Sequence, residues 1–373
     1  MNRIRQISAL GQAIWLDYIS RDLIRSGKLG ELVEEGITGV TSNPAIFQKA
    51  ISGSALYDDD LRTLTAAGKN TLEIYEALAT ADVGEAADCL RGVYNETHGR
   101  DGFVSIEVNP HLAQDTAATV AEARRLFATI GRPNVMIKVP ATEAGLPAIA
   151  TLIGEGINVN VTLIFALAMY EKVMEAYLEG LRRYQQTGPS PGLVSSVASF
   201  FVSRVDTLVD KILDHRTSHG EPHLEPLYGL AAVANAKLAY ARYKAVFEGP
   251  RFEPLRAAGA RVQRPLWAST GTKNPKYPDT KYVDPLIGVN TVNTVPPNTL
   301  DAIRSHAVTA QTIERDLDLA HKLLAEFAGL KLDLDWVTAV LLEEGIKLFV
   351  DPFDQLLAGL DKKRAALTQP VRP

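Results

Sequence analysis

Residues 135–140, VMIKVP, place one lysine inside an otherwise apolar run. A strand buried on both faces of a sheet is typically a continuous apolar run, so its pattern needs no charge. Burial in an apolar pocket lowers the pKa of an amine, and the neutral amine is a nucleophile that forms Schiff bases with carbonyl compounds. Lys138 is therefore a candidate Schiff-base nucleophile. For this run taken alone, the commoner explanation is a lysine whose tip reaches water from a strand end.

Other strand-like runs also carry polar residues toward their carboxyl ends. Side chains alternate along a strand, so residues two apart share a face. The polar residues on the faces that we assign to the interior include Asp17, Ser105 and Glu107, Lys138, Asn160 and Thr162, and Ser199. Each alone could be a hydrogen-bonded core group or a helix cap, and Asn43 before Pro44 has the pattern of a cap. Five such clusters at matching strand ends favour one shared active site.

The elements that must position these residues are strands alternating with helices. Eight strand-like runs occur at residues 13–18, 39–43, 103–109, 135–139, 158–163, 193–201, 265–270 and 290–295. Helical patterns lie between them, for example at residues 113–130 and 166–184. Such alternation favours right-handed βαβ units on a parallel sheet, and eight units favour a closed barrel. We therefore predict an α/β fold of the (β/α)8 TIM-barrel class, whose active site lies at the carboxyl ends of the strands.

The chain is about 100 residues longer than a minimal barrel requires. The additional residues fall mainly at 44–102, around 214–227, and after the eighth strand, where the pattern from residue 301 is helical. No Pro/Gly/Ser-rich linker and no internal repeat divides the sequence. We predict a single domain over residues 1–373, with barrel strands at about 13–295 and a helical C-terminal extension at about 301–367.

Composition excludes several functional classes. Of 373 residues, 46% are hydrophobic and 22% are charged, which is close to the globular average. A net charge of −5 offers no basic field for nucleic acid, and no apolar run has membrane-spanning length. The N-terminus has no signal-peptide pattern, and Cys89, the single cysteine, can form no internal disulfide. We expect a soluble cytoplasmic protein that binds neither nucleic acid nor membrane, with monomer and homodimer both open.

The chain resembles the transaldolase family over nearly its whole length. IKVPAT (137–142) and INVNVTLIF (157–165) together are a specific sign, and TSNPAIF (41–47) is a weaker one. The form WASTGTKNP and the long helical tail resemble the longer bacterial subfamily. The matching segments are residues 15–24, 39–47, 104–110, 135–142, 156–165, 196–206, 266–275 and 292–300.

The resemblance implies a class I aldolase barrel that acts on sugar phosphates. The enzyme would transfer a dihydroxyacetone unit from sedoheptulose 7-phosphate to glyceraldehyde 3-phosphate, giving erythrose 4-phosphate and fructose 6-phosphate. This reversible transferase reaction belongs to the non-oxidative pentose phosphate pathway of carbohydrate metabolism. The resemblance implies no metal and no organic cofactor.

The resemblance also implies roles for individual residues. Lys138 matches the Schiff-base lysine, and Asp17 matches the carboxylate that takes the proton from the C4 hydroxyl of the donor. Glu107 and Thr162 match the pair that positions a water for proton shuttling.

Five further residues match the family's substrate-binding positions. Asn43 and Asn160 match residues that hold the hydroxyls of the three-carbon unit, and Ser199 matches another residue of the sugar site. Phe201 matches an aromatic residue beside the lysine, and Arg204 matches a phosphate-binding arginine.

One departure from the family pattern concerns phosphate. Many transaldolases carry a second phosphate-binding arginine just after the seventh strand, where this chain has STGTKN at 269–274. Backbone N–H groups, Ser269 and the ammonium of Lys273 could hold a phosphate there. The alternative is a solvated loop, because Lys276 and Lys281 follow in a polar stretch.

Two other functions remain open. A fructose-6-phosphate aldolase-type lyase would release free dihydroxyacetone, but such enzymes are shorter and usually place a tyrosine where Phe201 stands. A non-catalytic sugar-phosphate sensor could use the same scaffold, because a fold does not fix a function. The set of Asp17, Glu107, Lys138 and Thr162 argues against a sensor, which needs no buried lysine.

Overall fold

Eight parallel strands form a closed barrel and follow one another in chain order around it. The last strand pairs with the first, Gln12 opposite Thr291 and Leu16 opposite Val295. The computed structural model describes residues 2–221 and 223–368, and it confirms the predicted (β/α)8 barrel. The strands are β1 (Gln12–Leu16), β2 (Gly39–Thr41), β3 (Phe103–Glu107), β4 (Val135–Pro140), β5 (Val159–Ile164), β6 (Ser196–Phe201), β7 (Arg264–Ala268) and β8 (Thr291–Val295).

Each predicted strand-like run contains a strand, but several strands are shorter than predicted. Asp17 and Asn43 lie in the loops just after β1 and β2. Asn43 leaves the sheet because its Oδ1 accepts a hydrogen bond from the Ile46 N–H and caps the next helix. The sixth run begins later than predicted, since Pro191–Leu193 form a 3₁₀ turn that starts at a proline.

Helices cover the outside of the barrel and fill the predicted additional segments. Four of them lie between β2 and β3, and three follow β8, which confirms the helical C-terminal extension. In the described residues the helices are α1 (Arg3–Ala9), α2 (Arg21–Arg25), α3 (Lys28–Glu35), α4 (Pro44–Ser52), α5 (Asp58–Ala66), α6 (Thr71–Cys89), α7 (Arg91–Glu96), α8 (Thr116–Ile130), α9 (Gly145–Gly154), α10 (Leu167–Thr187), α11 (Ser203–Ser218), α12 (Ala231–Phe247), α13 (Glu253–Ala257), α14 (Pro297–His306), α15 (Leu317–Gly329) and α16 (Leu334–Thr368). None of these is both long and apolar enough to cross a membrane.

The last helix, α16, returns to the barrel and packs on α4, α5, α6, α11 and the end of β5. Its middle is held by Asp354, whose Oδ1 lies 2.8 Å from His111 Nε2. Its far end is held by Lys363 Nζ, which donates a 2.7 Å hydrogen bond to the carbonyl of Ser54. These contacts place one long helix beside the carboxyl ends of β3, β4 and β5.

Candidate active site

Lys138 lies near the carboxyl end of β4, and its amine is held by two groups. Strand register places Glu107 of β3 directly opposite Lys138, and Glu107 Oε1 lies 2.5 Å from Lys138 Nζ. The same Nζ donates a 2.8 Å hydrogen bond to the carbonyl of Ser42. Only 6% of the Lys138 side chain and 7% of the Glu107 side chain are exposed. The lysine predicted to be buried is therefore buried, and its partner is the carboxylate of the neighbouring strand.

Asp17 is held in the loop after β1 by a hydroxyl. Thr41 Oγ1 donates a 2.7 Å hydrogen bond to Asp17 Oδ1, and the Thr294 hydroxyl lies 2.7 Å from that of Thr41. Burial raises the pKa of Asp17 above its ordinary value, although the positive charge of Lys138 opposes this shift. A carboxylate with a raised pKa is a stronger base near neutral pH, which suits proton transfer.

Glu107 and Thr162 lie on the two strands that flank β4, the strand of Lys138. Burial raises the pKa of Glu107, and the charge of Lys138 opposes the shift. Thr162 Oγ1 is buried and has no hydrogen-bond partner among the described residues. Both side chains line a small cavity with Lys138. The pair therefore offers one proton acceptor and one free hydroxyl next to the amine.

The floor of the barrel beneath the lysine is a short hydrogen-bonded chain. Ser199 Oγ donates to Asn160 Oδ1 at 2.7 Å, and Asn160 Nδ2 donates to Ser105 Oγ at 3.1 Å. These contacts join β3, β5 and β6 through their interior faces, as predicted from strand parity. Asn160 is fully buried. Its fixed amide leaves one N–H for a ligand above it.

Arg204 lies in the first turn of α11, after β6. Its guanidinium stands 5.2 Å from the ring centroid of Phe201. Its Nη1 is buried and has no hydrogen-bond partner in residues 2–221 and 223–368. Burial lowers the pKa of Arg204, and Asp17 and Glu344 oppose the shift. A buried guanidinium with an unused N–H group is a strong site for an anion.

The segment after β7 lies beside the start of α11 at the rim of the barrel. Ser269 adopts a left-handed conformation with φ of 55°, and its carbonyl accepts a 3.1 Å hydrogen bond from the Ser203 N–H. The Ser269 and Ser203 hydroxyls lie 3.1 Å apart. Lys273 is exposed at the rim, and its charge lowers the pKa of Asp17. Ser269 and Lys273 therefore face the same cleft as Arg204.

One cleft collects most of the predicted site residues. It encloses about 760 Å³ including its open mouth. Glu107 lines the adjoining smaller cavity instead, and Asn160 lies beneath the cleft floor. The predicted residues that line the cleft are Asp17, Asn43, Lys138, Thr162, Ser199, Phe201, Arg204, Ser269 and Lys273.

The cleft also contains residues that the sequence analysis missed. Thr41 and Thr294 lie on the interior faces of β2 and β8, so strand parity was a signal that could have identified them. Gly271 and Pro296 lie at the rim. Phe349 comes from α16, far along the chain, and no local pattern connects it to Lys138. No group of three or more His, Cys, Asp or Glu side chains within the described ranges is arranged to hold a metal ion.

The fold and cleft together define a lysine-centred α/β barrel, and comparison with known proteins gives its family. Residues 14–360 match the family model described as "Transaldolase/Fructose-6-phosphate aldolase". A transaldolase of Trichodesmium erythraeum is 44% identical over 98% of this chain and 99% of the relative. "Transaldolase 2" of a Nostoc species is 46% identical over the full length of both chains, and the Neisseria gonorrhoeae transaldolase is 47% identical over 96% of this chain and its own whole length. The chain belongs to the transaldolase/fructose-6-phosphate aldolase family.

Proposed function

We propose that this protein is a transaldolase that moves a dihydroxyacetone unit between sugar phosphates through a Schiff base on Lys138. The donor is sedoheptulose 7-phosphate and the acceptor is glyceraldehyde 3-phosphate, as in the non-oxidative pentose phosphate pathway. The observation that carries the proposal is the amine of Lys138, which is buried between Glu107 and the Ser42 carbonyl at the base of an open cleft. Because these substrates are small water-soluble molecules, we also propose the cytoplasm as the place of action.

The first step is Schiff-base formation. Glu107 accepts a proton from the Lys138 ammonium across their 2.5 Å contact, and the amine attacks the ketose carbonyl. The resulting carbinolamine loses its hydroxyl as water and becomes an iminium ion. Glu107 and the Thr162 hydroxyl are placed to position a water that carries these protons.

The second step breaks a carbon–carbon bond. Asp17 takes the proton from the C4 hydroxyl, that oxygen forms the aldehyde of erythrose 4-phosphate, and the C3–C4 bond breaks. Its electron pair forms a double bond between C2 and C3 while the C=N electron pair moves to the nitrogen, which leaves an enamine on Lys138. The Thr41 hydroxyl holds Asp17 in position for this transfer.

The third step runs the same chemistry in reverse on a new aldehyde. The enamine carbon attacks the carbonyl of glyceraldehyde 3-phosphate, and protonated Asp17 gives its proton to the new hydroxyl. Water then cleaves the iminium and releases fructose 6-phosphate. We assign binding of the hydroxyls of the three-carbon unit to the amide of Asn43, which lines the cleft, and to Asn160, which Ser199 and Ser105 fix beneath the cleft floor.

The phosphate of either aldose is assigned to Arg204. Its buried Nη1 has no hydrogen-bond partner among the described residues and can donate to a phosphate oxygen. Ser269 and Lys273 line the same cleft and supply a hydroxyl and an ammonium in place of a second arginine. Phosphate binding here orients the sugar while its reacting carbon lies at Lys138.

A lyase of the fructose-6-phosphate aldolase type shares all steps up to the enamine. It must then protonate the enamine carbon, so that dihydroxyacetone is released instead of being transferred. Phe201 and Phe349, the two aromatic residues of the cleft, carry no hydroxyl that could donate this proton. This favours transfer to an aldehyde over release.

Borohydride trapping tests the proposed nucleophile. Reduction in the presence of fructose 6-phosphate should add a reduced three-carbon unit to Lys138, located by mass mapping of the labelled peptide. Lys138→Arg should abolish labelling, because a guanidinium stays protonated and forms no imine. Lys172→Arg, which alters an exposed lysine paired with Glu143, should label like the unaltered protein. An adduct on another lysine, or full activity in Lys138→Arg, would reject the assignment.

A further inference from the structure

Phe349 places an aromatic ring over the reactive amine from the far end of the chain. The ring centroid lies 5.6 Å from Lys138 Nζ, within the range of a cation–π interaction. Phe349 is 8% exposed, so its ring is largely removed from solvent. Such a ring can stabilise the iminium ion that forms on Lys138, because the face of an aromatic ring attracts positive charge.

Phe349 also stands at the boundary between two cavities. The larger cleft holds Asp17, Arg204 and the sugar-binding residues. The smaller cavity, of about 270 Å³, is lined by Glu107 and by Ile346 of α16. Among the residues that the structure describes, only Lys138, Thr162 and Phe349 line both cavities. The ring therefore lies between the space available to the sugar and the space beside the Glu107–Thr162 pair.

The position of the ring is fixed by close packing of α16 on the end of β5. A Cβ added at Gly345 would lie 2.9 Å from Leu163 Cδ2, so the glycine permits this approach. Leu163 itself has φ of 60°, a left-handed conformation that is strained for a leucine. On the other side, Phe353 packs edge-on against Tyr75 with ring centroids 5.4 Å apart. Phe349 thus belongs to a rigid element and not to a mobile loop.

We propose that Phe349 is an active-site residue that decides whether the enamine on Lys138 is transferred or hydrolysed. This inference rests on the transaldolase function proposed above. The face of the ring stabilises the cationic Schiff base. Its bulk limits the water at the three-carbon unit to the one that Glu107 and Thr162 position. Hydrolysis requires that the enamine carbon take a proton and that water add to the iminium carbon, after which dihydroxyacetone leaves and the free amine is restored.

The test compares Phe349→Leu with Phe353→Leu. Both changes remove one buried ring from the same helix, but Phe353 lines neither the cleft nor the smaller cavity. Release of free dihydroxyacetone from fructose 6-phosphate and transfer to glyceraldehyde 3-phosphate are measured on the same samples. We expect the ratio of release to transfer to rise about tenfold in Phe349→Leu. The ratio in Phe353→Leu should match the unaltered protein.

A second variant keeps the shape of the ring. Fluorinated phenylalanines at position 349 weaken the negative potential of the ring face with little change in volume, so transfer should fall as fluorine atoms are added. If Phe349→Leu does not fold, the fluorinated series alone tests whether Phe349 favours transfer. An unchanged ratio in a folded Phe349→Leu, or a flat fluorine series, would overturn the inference. Failure of borohydride trapping at Lys138 in the unaltered protein would instead reject the proposed function itself.

Discussion

Replacing Asp17 with asparagine should separate Schiff-base formation from carbon–carbon bond cleavage. Asparagine has nearly the same shape, and its Oδ1 can still accept the hydrogen bond that Thr41 donates to Asp17 at 2.7 Å. The amide cannot accept the C4 hydroxyl proton, however. Lys138 and its partner Glu107 are untouched, so the imine should still form.

The size of the effect follows from the loss of one base. Removing a positioned general base typically lowers a rate by about 10²–10⁴, which corresponds to roughly 3–5 kcal/mol in the barrier. The raised pKa of Asp17 places the loss toward the upper part of this range, because a base closer to neutral pH accepts a proton more readily. The same shift predicts a pH profile. Cleavage in the unaltered protein should fall as the pH drops through the raised pKa of Asp17.

The assay uses two readouts on one variant. Borohydride labelling at Lys138 should remain close to that of the unaltered protein, and transfer activity should fall by about 10²–10⁴. Asp22→Asn is the matched control, since Asp22 is a carboxylate of α2 with 67% of its side chain exposed. Turnover of Asp17→Asn within a factor of a few of normal would show that Asp17 is structural and refute the reasoning.

Three other substitutions test phosphate binding and the titration of Asp206, a buried carboxyl group in α11. Arg204→Ala should lower kcat/KM for phosphorylated substrates by about ten- to a hundredfold and spare free dihydroxyacetone and glyceraldehyde, since a charged hydrogen bond contributes roughly 1.5–3 kcal/mol. Lys273→Ala, measured in the same assay, should show a smaller loss of the same selectivity, because Lys273 is exposed. Burial raises the pKa of Asp206 to about 6, so the folded protein holds a proton there that the unfolded chain has lost. The stability that this proton contributes to the folded protein is present at low pH and is lost as the pH rises from about 4 to 6. Asparagine does not titrate in this range. Urea unfolding should therefore show that Asp206→Asn gains stability relative to the unaltered protein between about pH 4 and 6.

Each of these predictions has its own contrary outcome. Equal losses for phosphorylated and free substrates would mean that neither Arg204 nor Lys273 binds phosphate. Lys276→Ala, on the same exposed segment but outside the cleft lining, is the control for Lys273. For Asp206, parallel stability curves of variant and unaltered protein between pH 4 and 7 would show that the carboxyl does not titrate there.

The barrel and much of the cleft could be predicted because their signals are local. Strands and helices alternate in the sequence, and interior residues share parity, as the hydrogen bonds of Asn160 with Ser105 and Ser199 confirm. The burial of Lys138 was predicted from its charge in an apolar run together with the polar residues at the other strand ends. Residues carried over from the family, such as Arg204, lie in the cleft, although their roles remain proposals.

Other features depend on contacts between distant segments. Phe349 follows Lys138 by four further strands and several helices, and nothing in GIKLF indicates that its ring covers an amine. The left-handed backbone of Leu163 could not be predicted from the sequence either, because a leucine in an apolar run predicts ordinary strand geometry. The second strand was predicted to end at Asn43, but Asn43 caps the next helix instead, because its side chain accepts a hydrogen bond from the Ile46 N–H.

The place of α16 in the chain gives the protein an order of assembly during synthesis. All eight strands precede it, and Lys138 and Glu107 are complete when β8 has emerged from the ribosome. A nascent chain at that point lacks Ile346 and Phe349, which α16 contributes beside the Lys138 amine. The contacts of Gly345 with Leu163 and of Lys363 with Ser54 form only after α16 has been synthesised. Synthesis therefore supplies the reactive amine before the aromatic ring that lies over it.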